Sequence, residues 1–360
     1  MISEKKRKRS TIIEVAAAAG VSIKTVSRVF NDEPHVRAPV REKVLAAAKD
    51  LDYQPNVVAQ GLVGRRSYLI GLVYENPSPN YVVELQKGAL DRLHGERYRL
   101  IVLPVESVAD VAGKMTAFLR SAALDGVVLS PPASDHPEII RELRQSGFPF
   151  TRVAPTKQLD VGPSHTTDDV TASCKLTKYL IELGHTRIGV IKGDPTHSAS
   201  EARLLGFSQA LTKAGIAPSL DLIEQGYFTY ESGLVAARIL LDRPDRPTAI
   251  FAQNDDMAAA AIMVARDLGL DVPGDVSVCG FDDSAIAQIV FPRITTIHQP
   301  VYDMARAATD ALIHMLDNKP VENLVTHPFE LIVRQSTAAP AKGKPKGLRP
   351  NGQSRPVKAA

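Results

Sequence analysis

Residues 11–31, TIIEVAAAAGVSIKTVSRVFN, decide how this chain is read. Thr11, with Glu14 three residues later, has the spacing of a helix-capping box. The Ala-rich run that follows favours helix. Gly20 supplies the left-handed residue on which helices end, and Ser22 is placed to cap a second helix. At about 100° per residue, Ile23, Lys24, Ser27 and Arg28 share one arc of that second helix. Val26, Val29 and Phe30 share the opposite arc. One face suits a small core, and the other is free to enter a DNA major groove. An ordinary helical hairpin has the same local pattern, but the flanks argue against it. KKRKR at 5–9 precedes the pair, and VREKVLAAAKDLDY at 40–53 gives a third helix with Val44, Ala47, Ala48 and Leu51 at helical spacing. Three short helices behind a basic arm make a DNA-binding headpiece.

Charge follows the same division. Residues 1–66 carry a net charge of +6, residues 341–360 another +6, and the body between them −9. The ends suit phosphate and the body does not. Cys174 and Cys279 form neither a disulfide framework nor a metal spacing, which fits a reducing cytoplasm. No apolar stretch follows the basic start, so a secretory signal is not expected, and no run reaches the ~18 apolar residues of a membrane span.

QPNVVAQGLVGRRS at 54–67 reads as a linker. Pro55 ends the third helix and Asn56 can cap a short fourth one, which Gly61 and Gly64 each weaken by roughly 1 kcal/mol relative to Ala. Beyond it, strands at 69–73, 99–103, 126–130 and 148–153 alternate with helical stretches near 81–95, 107–122 and 136–146. A second series has strands at 188–191, 222–228, 248–252 and 276–281, with helices at 169–183, 199–214, 230–241 and 256–268. This is βαβ alternation, hence two α/β halves with parallel sheets and a ligand cleft between them. The late return through a strand at 294–297, a helix at 300–317 and a strand at 331–334 predicts that the last segments pass back across both halves.

The headpiece resembles the LacI/GalR family of bacterial transcription regulators in Val15-Ala16, Ala19-Gly20-Val21-Ser22, Thr25-Val26-Ser27-Arg28, Asn31, Tyr53, Pro55-Asn56, Ala59 and Leu62. The body resembles the same family, and through it the periplasmic sugar-binding fold, in Leu183-Gly184-His185, Arg203 with Gly206-Phe207, Asn254-Asp255, Gly280-Phe281-Asp282-Asp283 and Gln299-Pro300. The fold expected is therefore α/β: a three-helix helix-turn-helix headpiece with a hinge helix, then a two-lobed effector domain. The divisions are a basic arm at 1–10, the headpiece at 11–54, the hinge at 55–67, the effector and dimerisation domain at 68–338 and a disordered basic tail at 339–360.

The resemblance implies that Ile23, Lys24 and Arg28 select bases. Thr25, Ser27, Asn31 and His35 are expected on phosphates, and the hinge positions Asn56, Ala59 and Leu62 on DNA, with Leu62 wedged into the minor groove. Gln60 departs from the Arg common at its position. It also implies effector contacts at Arg203, Asn254 and Asp282, with Phe228 stacking on the ligand. Asn80, Tyr81 and His197 join them from loops that follow strands, where open α/β sheets bind ligands, and Asp168 from the first crossover. Carboxylates, amides and an Arg fork pair with sugar hydroxyls while an aromatic ring covers the apolar face. Asn254 and Asp282 are equally readable as helix caps. His185 is expected to be structural.

No nucleophile elbow, P-loop or zincin motif is present, so no catalytic residue, metal or cofactor is expected. The protein implied is a cytoplasmic, nucleoid-associated, homodimeric repressor of carbohydrate-utilisation genes, released from a palindromic operator by a glucoside or oligosaccharide. The alternative is a corepressor-type or global regulator sensing a phosphorylated metabolite or nucleobase.

Overall fold

The computed structural model describes residues 10–30, 35–53, 66–75 and 78–341. The chain divides into two units, residues 1–69 with 123–125 and residues 70–122 with 126–360.

In the first unit α1 (Ile12–Ala19), α2 (Ile23–Phe30) and α3 (Ala38–Asp50) form a small bundle. The capping box is complete: Thr11 Oγ1 accepts from the Glu14 amide, and the Glu14 carboxylate accepts from the Thr11 amide at 2.6 Å. Gly20 ends α1 at φ +64°, and Ser22 Oγ accepts from the Thr25 amide at 3.1 Å. Helices of eight residues are marginal alone in water. Burial of Val15, Val26, Val29 and Val44, with Ala16, Ala19 and Ala48, holds them together, at about 1.5–3 kcal/mol for each large apolar side chain. Phe30 and Tyr53 close one side with ring centroids 5.6 Å apart.

The second unit has two lobes. Lobe one is built from β1 (Leu69–Tyr74), α4 (Pro79–Leu93), β2 (Arg99–Pro104), α5 (Val108–Val111), α6 (Met115–Ser121), β3 (Gly126–Leu129), α7 (Pro137–Ser146), β4 (Phe150–Val153) and β5 (Ser164–Thr166). Lobe two follows with α8 (Asp169–Glu182), β6 (Ile188–Lys192), α9 (Ser198–Lys213), β7 (Ile223–Gln225), α10 (Tyr230–Leu241), β8 (Ala249–Ala252), α11 (Asp255–Asp267), β9 (Ser277–Cys279), α12 (Ala285–Ile289) and β10 (Thr296–His298). The chain then returns to lobe one as α13 (Val301–Leu316) and β11 (Leu324–Thr326), and ends in lobe two as β12 (Glu330–Ile332). Strand order is β11-β5-β4-β3-β1-β2 in one sheet and β7-β6-β8-β9 in the other. Registers such as Val128↔Thr151 and Val190↔Phe251 are parallel. The central strands β1, β3, β6 and β8 are buried on both faces, which is why they read as continuous apolar runs. β10 and β12 pair antiparallel, Thr296 opposite Ile332.

The expected return across both halves is thus present, with connections between lobes near residues 167, 299 and 327. Several details differ from the sequence reading: the short helix α12 was not anticipated, and the strand expected at 222–228 is confined to Ile223–Gln225. The stretch read as one helix at 107–122 is two, parted at Gly113, whose φ of +76° no continuous helix contains. The strands β5 and β11 were not anticipated; each is three residues long, too short to show a period.

Candidate functional site

A cleft lies between the lobes at the carboxyl ends of their strands. Lobe one lines it with Tyr74, Glu75, Ser78, Tyr81 and Ser130, lobe two with Asp169, His197, Arg203, Phe228, Asn254 and Asp282, and the second connection with Gln299. The space amounts to about 570 Å3 with its open mouth.

Arg203, on the first turns of α9, is the centre of charge. It is only 5% exposed. Its Nε donates to Asp169 Oδ1 at 2.7 Å and its Nη1 to the Gln253 carbonyl at 2.5 Å. Its Nη2 lies 3.7 Å from Asp282 Oδ1, and its guanidinium carbon stands 3.7 Å above the Phe281 ring. A buried guanidinium needs such partners, because an unpaired charge in this environment would be lost to water. Burial pushes Asp169 above the usual carboxylate range and Asp282 up to about 7, against the pull of Arg203. Burial also raises the Tyr81 phenol. Gln299 Nε2 donates to Asp282 Oδ1 at 3.1 Å.

Three cleft residues sit in backbone conformations that L side chains rarely adopt, Asp282 at φ +109°, Phe228 at φ +60° and Ala154 at φ +48°. Such strain of about 1–3 kcal/mol persists where surroundings over-determine it and gathers at functional sites. Asn254 supplies part of the restraint. Its Oδ1 accepts from the Met257 amide at 3.0 Å, capping α11, and its Nδ2 donates to the Phe228 carbonyl at 2.8 Å. One N–H and one lone pair of the amide are not used in these bonds; Asn254 is a helix cap that also lines the cleft. The Phe228 ring lies where a side chain at residue 193 would go, and only Gly193 leaves room.

The structure brings Tyr81, His197, Arg203, Phe228, Asn254 and Asp282 together in this cleft. It does not bring Asp168 or Asn80. Asp168 caps α8, its Oδ1 accepting from the Thr171 amide at 2.9 Å and its Oδ2 from the Thr171 hydroxyl at 2.6 Å. The next residue, Asp169, faces the cleft instead. The Asp-x-x-Thr spacing carried that signal, since a cap must turn back on its own helix. Asn80 lies about 100° round α4 from Tyr81 and lines an adjoining groove with Lys87 and His298, which shares Tyr81, Asp282 and Gln299 with the cleft. Tyr74, Glu75, Ser78 and Ser130 were not anticipated.

Adjacent acids do not form a catalytic pair. Asp255 accepts from Thr296 Oγ1 and the Ser284 amide, and burial pushes it well above the usual range. Asp283 is held by Arg334 and His298 and lies below it. His185 bridges Thr248 Oγ1 and the Ala338 carbonyl, a structural role.

In the first unit Ile23, Lys24 and Arg28 are exposed on α2, with Ile23 at 48%, while Thr25 and Ser27 are half-buried beside them. His35 is exposed ahead of α3. The single arc of Ile23, Lys24, Ser27 and Arg28 is therefore a surface, and Val26 and Val29 face the core. Asn31, Asn56, Ala59 and Leu62, with the hinge helix and residues 342–360 of the tail, lie outside the described residues.

Two family models match the chain. One, for bacterial regulatory proteins of the lacI family, covers residues 11–56, and one for a periplasmic binding protein-like domain covers residues 177–337. The chain is 35% identical over 334 residues to the HTH-type transcriptional regulator DegA of Bacillus subtilis (strain 168), spanning 92% of this chain and 98% of that one. It is similar to the structure of the lac repressor dimer bound to operator and the anti-inducer ONPF, with a TM-score of 0.80, 28% identity and coverage of 92% of this chain and 100% of that one. It is also similar to a complex of the transcriptional regulator CelR with cellobiose, with a TM-score of 0.69, 31% identity and coverage of 91% and 100%.

Proposed function

The chain belongs to the lacI family of bacterial regulatory proteins, and from that premise we propose that its cleft takes an uncharged sugar which controls operator binding by its headpiece. It is a sequence-specific DNA-binding regulator of transcription and not an enzyme.

The observation that carries the choice of ligand is the state of Arg203. Its charge is already met by Asp169 and Asp282, beside the Phe228 ring. Among the described cleft residues no second Lys or Arg stands by for an anion; Lys192 pairs with Glu201 outside the cleft. A phosphate brought here would meet Glu75, Asp169 and Asp282. Hydroxyl groups meet them as hydrogen-bond donors, and an aromatic ring meets the apolar face of a pyranose. The likeness to a cellobiose complex supports a glucoside or short oligosaccharide. The same charge balance counts against the alternative of a phosphorylated metabolite.

The protein acts in the cytoplasm as a repressor of carbohydrate-utilisation genes. Two chains pair and read a near-palindromic operator, with Ile23, Lys24 and Arg28 on base edges and Thr25, Ser27, Asn31 and His35 on phosphates. Exposed Val235 and Ile239 on α10, Met263 on α11, and Ile289 and Phe291 at the end of α12 supply lobe two with apolar surface for pairing. No helix among the described residues is long and apolar enough to cross a membrane. The hinge at 55–67, with Asn56, Ala59 and Leu62, transmits lobe closure to the DNA.

Calorimetric titration of the purified full chain with cellobiose, other neutral sugars, sugar phosphates and nucleobases tests the ligand class. Saturable binding of a neutral sugar is expected, abolished by Arg203→Ala. Binding confined to phosphates or nucleobases would overturn the reading.

A further inference from the structure

One side chain in the cleft reaches it by an unusual route. After β6 the chain runs Gly193-Asp194-Pro195-Thr196-His197 into α9. Asp194 closes this turn on itself: its Oδ1 accepts from the Thr196 amide at 2.8 Å and from the Thr196 hydroxyl at 2.5 Å, as an Asp two residues ahead of an amide does in a tight turn. The backbone is locked as well, with the His197 amide donating to the Asp194 carbonyl at 3.1 Å and Ser200 Oγ to the same carbonyl at 2.6 Å. His197 is 7% exposed and packs edge-on against Phe228, with centroids 5.5 Å apart.

The direction of each hydrogen follows from chemistry. The carboxyl of Asp194 is drawn down to about 2, first by the facing His197 and then by Thr196, so it is ionised and can only accept. The Thr196 hydroxyl therefore spends its one hydrogen on Asp194. Thr196 Oγ1 lies 3.2 Å from His197 Nδ1 and has only lone pairs left to offer it. Nδ1 must then carry the ring hydrogen. The carboxylate lies 3.9 Å from Nδ1, near enough to act on the ring as a charge but longer than a hydrogen bond, so the hydroxyl is the hydrogen-bonded link. A neutral imidazole with hydrogen on Nδ1 has a bare Nε2. Among the described residues Nε2 has no hydrogen-bond partner; Nδ1 is the nitrogen engaged by the 194–196 loop, and His197 lines the cleft.

We propose that Thr196 and Asp194 are positioning residues that fix the tautomer of His197, so that Nε2 acts in the cleft as an acceptor for a ligand hydroxyl. The proposal rests on the sugar reading for its ligand but not for its tautomer. It gives the lobe-two wall an acceptor in the cleft that Asp169, Asn254 and Asp282 also line. A ligand rich in donors fits this wall, and an analogue with a methoxy or carbonyl oxygen facing Nε2 is rejected.

The test is nitrogen NMR of the full chain with 15N-labelled histidine, the His197 signal being assigned by its loss in His197→Gln. The parent should show a pyrrole-type Nδ1 and a pyridine-type Nε2. Thr196→Val keeps the shape and the turn amide but removes the link, and should give a mixed tautomer and about three- to tenfold weaker cellobiose binding, the worth of one neutral hydrogen bond. Thr196→Ser should restore both. A hydrogen on Nε2 in the parent, or a signal unmoved by Thr196→Val, would overturn the proposal. The expected tautomers without cellobiose binding by the parent would count against the sugar alone.

Discussion

Asp282 shows how much of this protein's chemistry is set by one residue's surroundings. It stands at a strained backbone position, beside Arg203, with a carboxyl that burial raises from 3.8 to about 7. A carboxyl raised on folding binds protons more tightly in the native state than in the unfolded one. Its effect on stability is therefore nil below about pH 4 and grows unfavourable as pH rises to about 7, where it levels off. The full penalty is at most about 4 kcal/mol, at 1.36 kcal/mol per pH unit. Asp282→Asn should accordingly raise the melting temperature of the ligand-free protein, by a margin that widens from pH 4 to pH 7 and is flat above. A margin independent of pH, in melts across that range, would show that burial is not what shifts Asp282.

At the same scale, the sequence marks which residue types belong in the cleft better than it marks their orientation. Arg203, Asn254 and Asp282 sit after strand ends, where any open α/β sheet gathers its ligands. Asp168 and Asp169 are indistinguishable by composition; helix capping separates them, turning the first back on Thr171 and leaving the second for Arg203. Tyr74 and Ser130 lie at the ends of apolar strands and carry no pattern of their own.

Among the elements, the long helices were legible because apolar spacing persists over several turns. Short pieces were not. Ser164–Thr166 is a buried strand made of polar residues, and its position follows from β4 on one side and β11 on the other. That information is tertiary. Close helix contacts have a sequence trace only in their glycines. Gly88 on α4 lies so near the Tyr302 carbonyl and the Arg306 amide of α13 that a methyl group would collide with backbone, not with a side chain that could swing away. Gly88→Ala should destabilise the body by about 1–3 kcal/mol, in the manner of an overpacked core, despite the better helix propensity of Ala. Chemical denaturation measures this, and a stabilised variant would mean that α4 and α13 pack less closely than described.

At the scale of the whole molecule, charge and topology divide the labour. The basic headpiece carries exposed Ile23, Lys24 and Arg28 over a core of small apolar side chains. The acidic body threads its chain between two lobes three times. The existence of both parts was readable from residues 11–31 and from the βαβ alternation. The crossing points were readable only in outline, because they depend on which sheet receives each late strand.

The most direct test of the account is operator binding by the full chain, with the operator selected from random duplexes and the protein titrated with neutral sugars at one fixed salt concentration. One neutral sugar should weaken operator binding by about 5–150-fold, a coupling of about 1–3 kcal/mol, while leaving binding to random DNA unchanged. Specific operator binding that no neutral sugar alters, and that a phosphorylated metabolite or nucleobase does alter, would contradict the account.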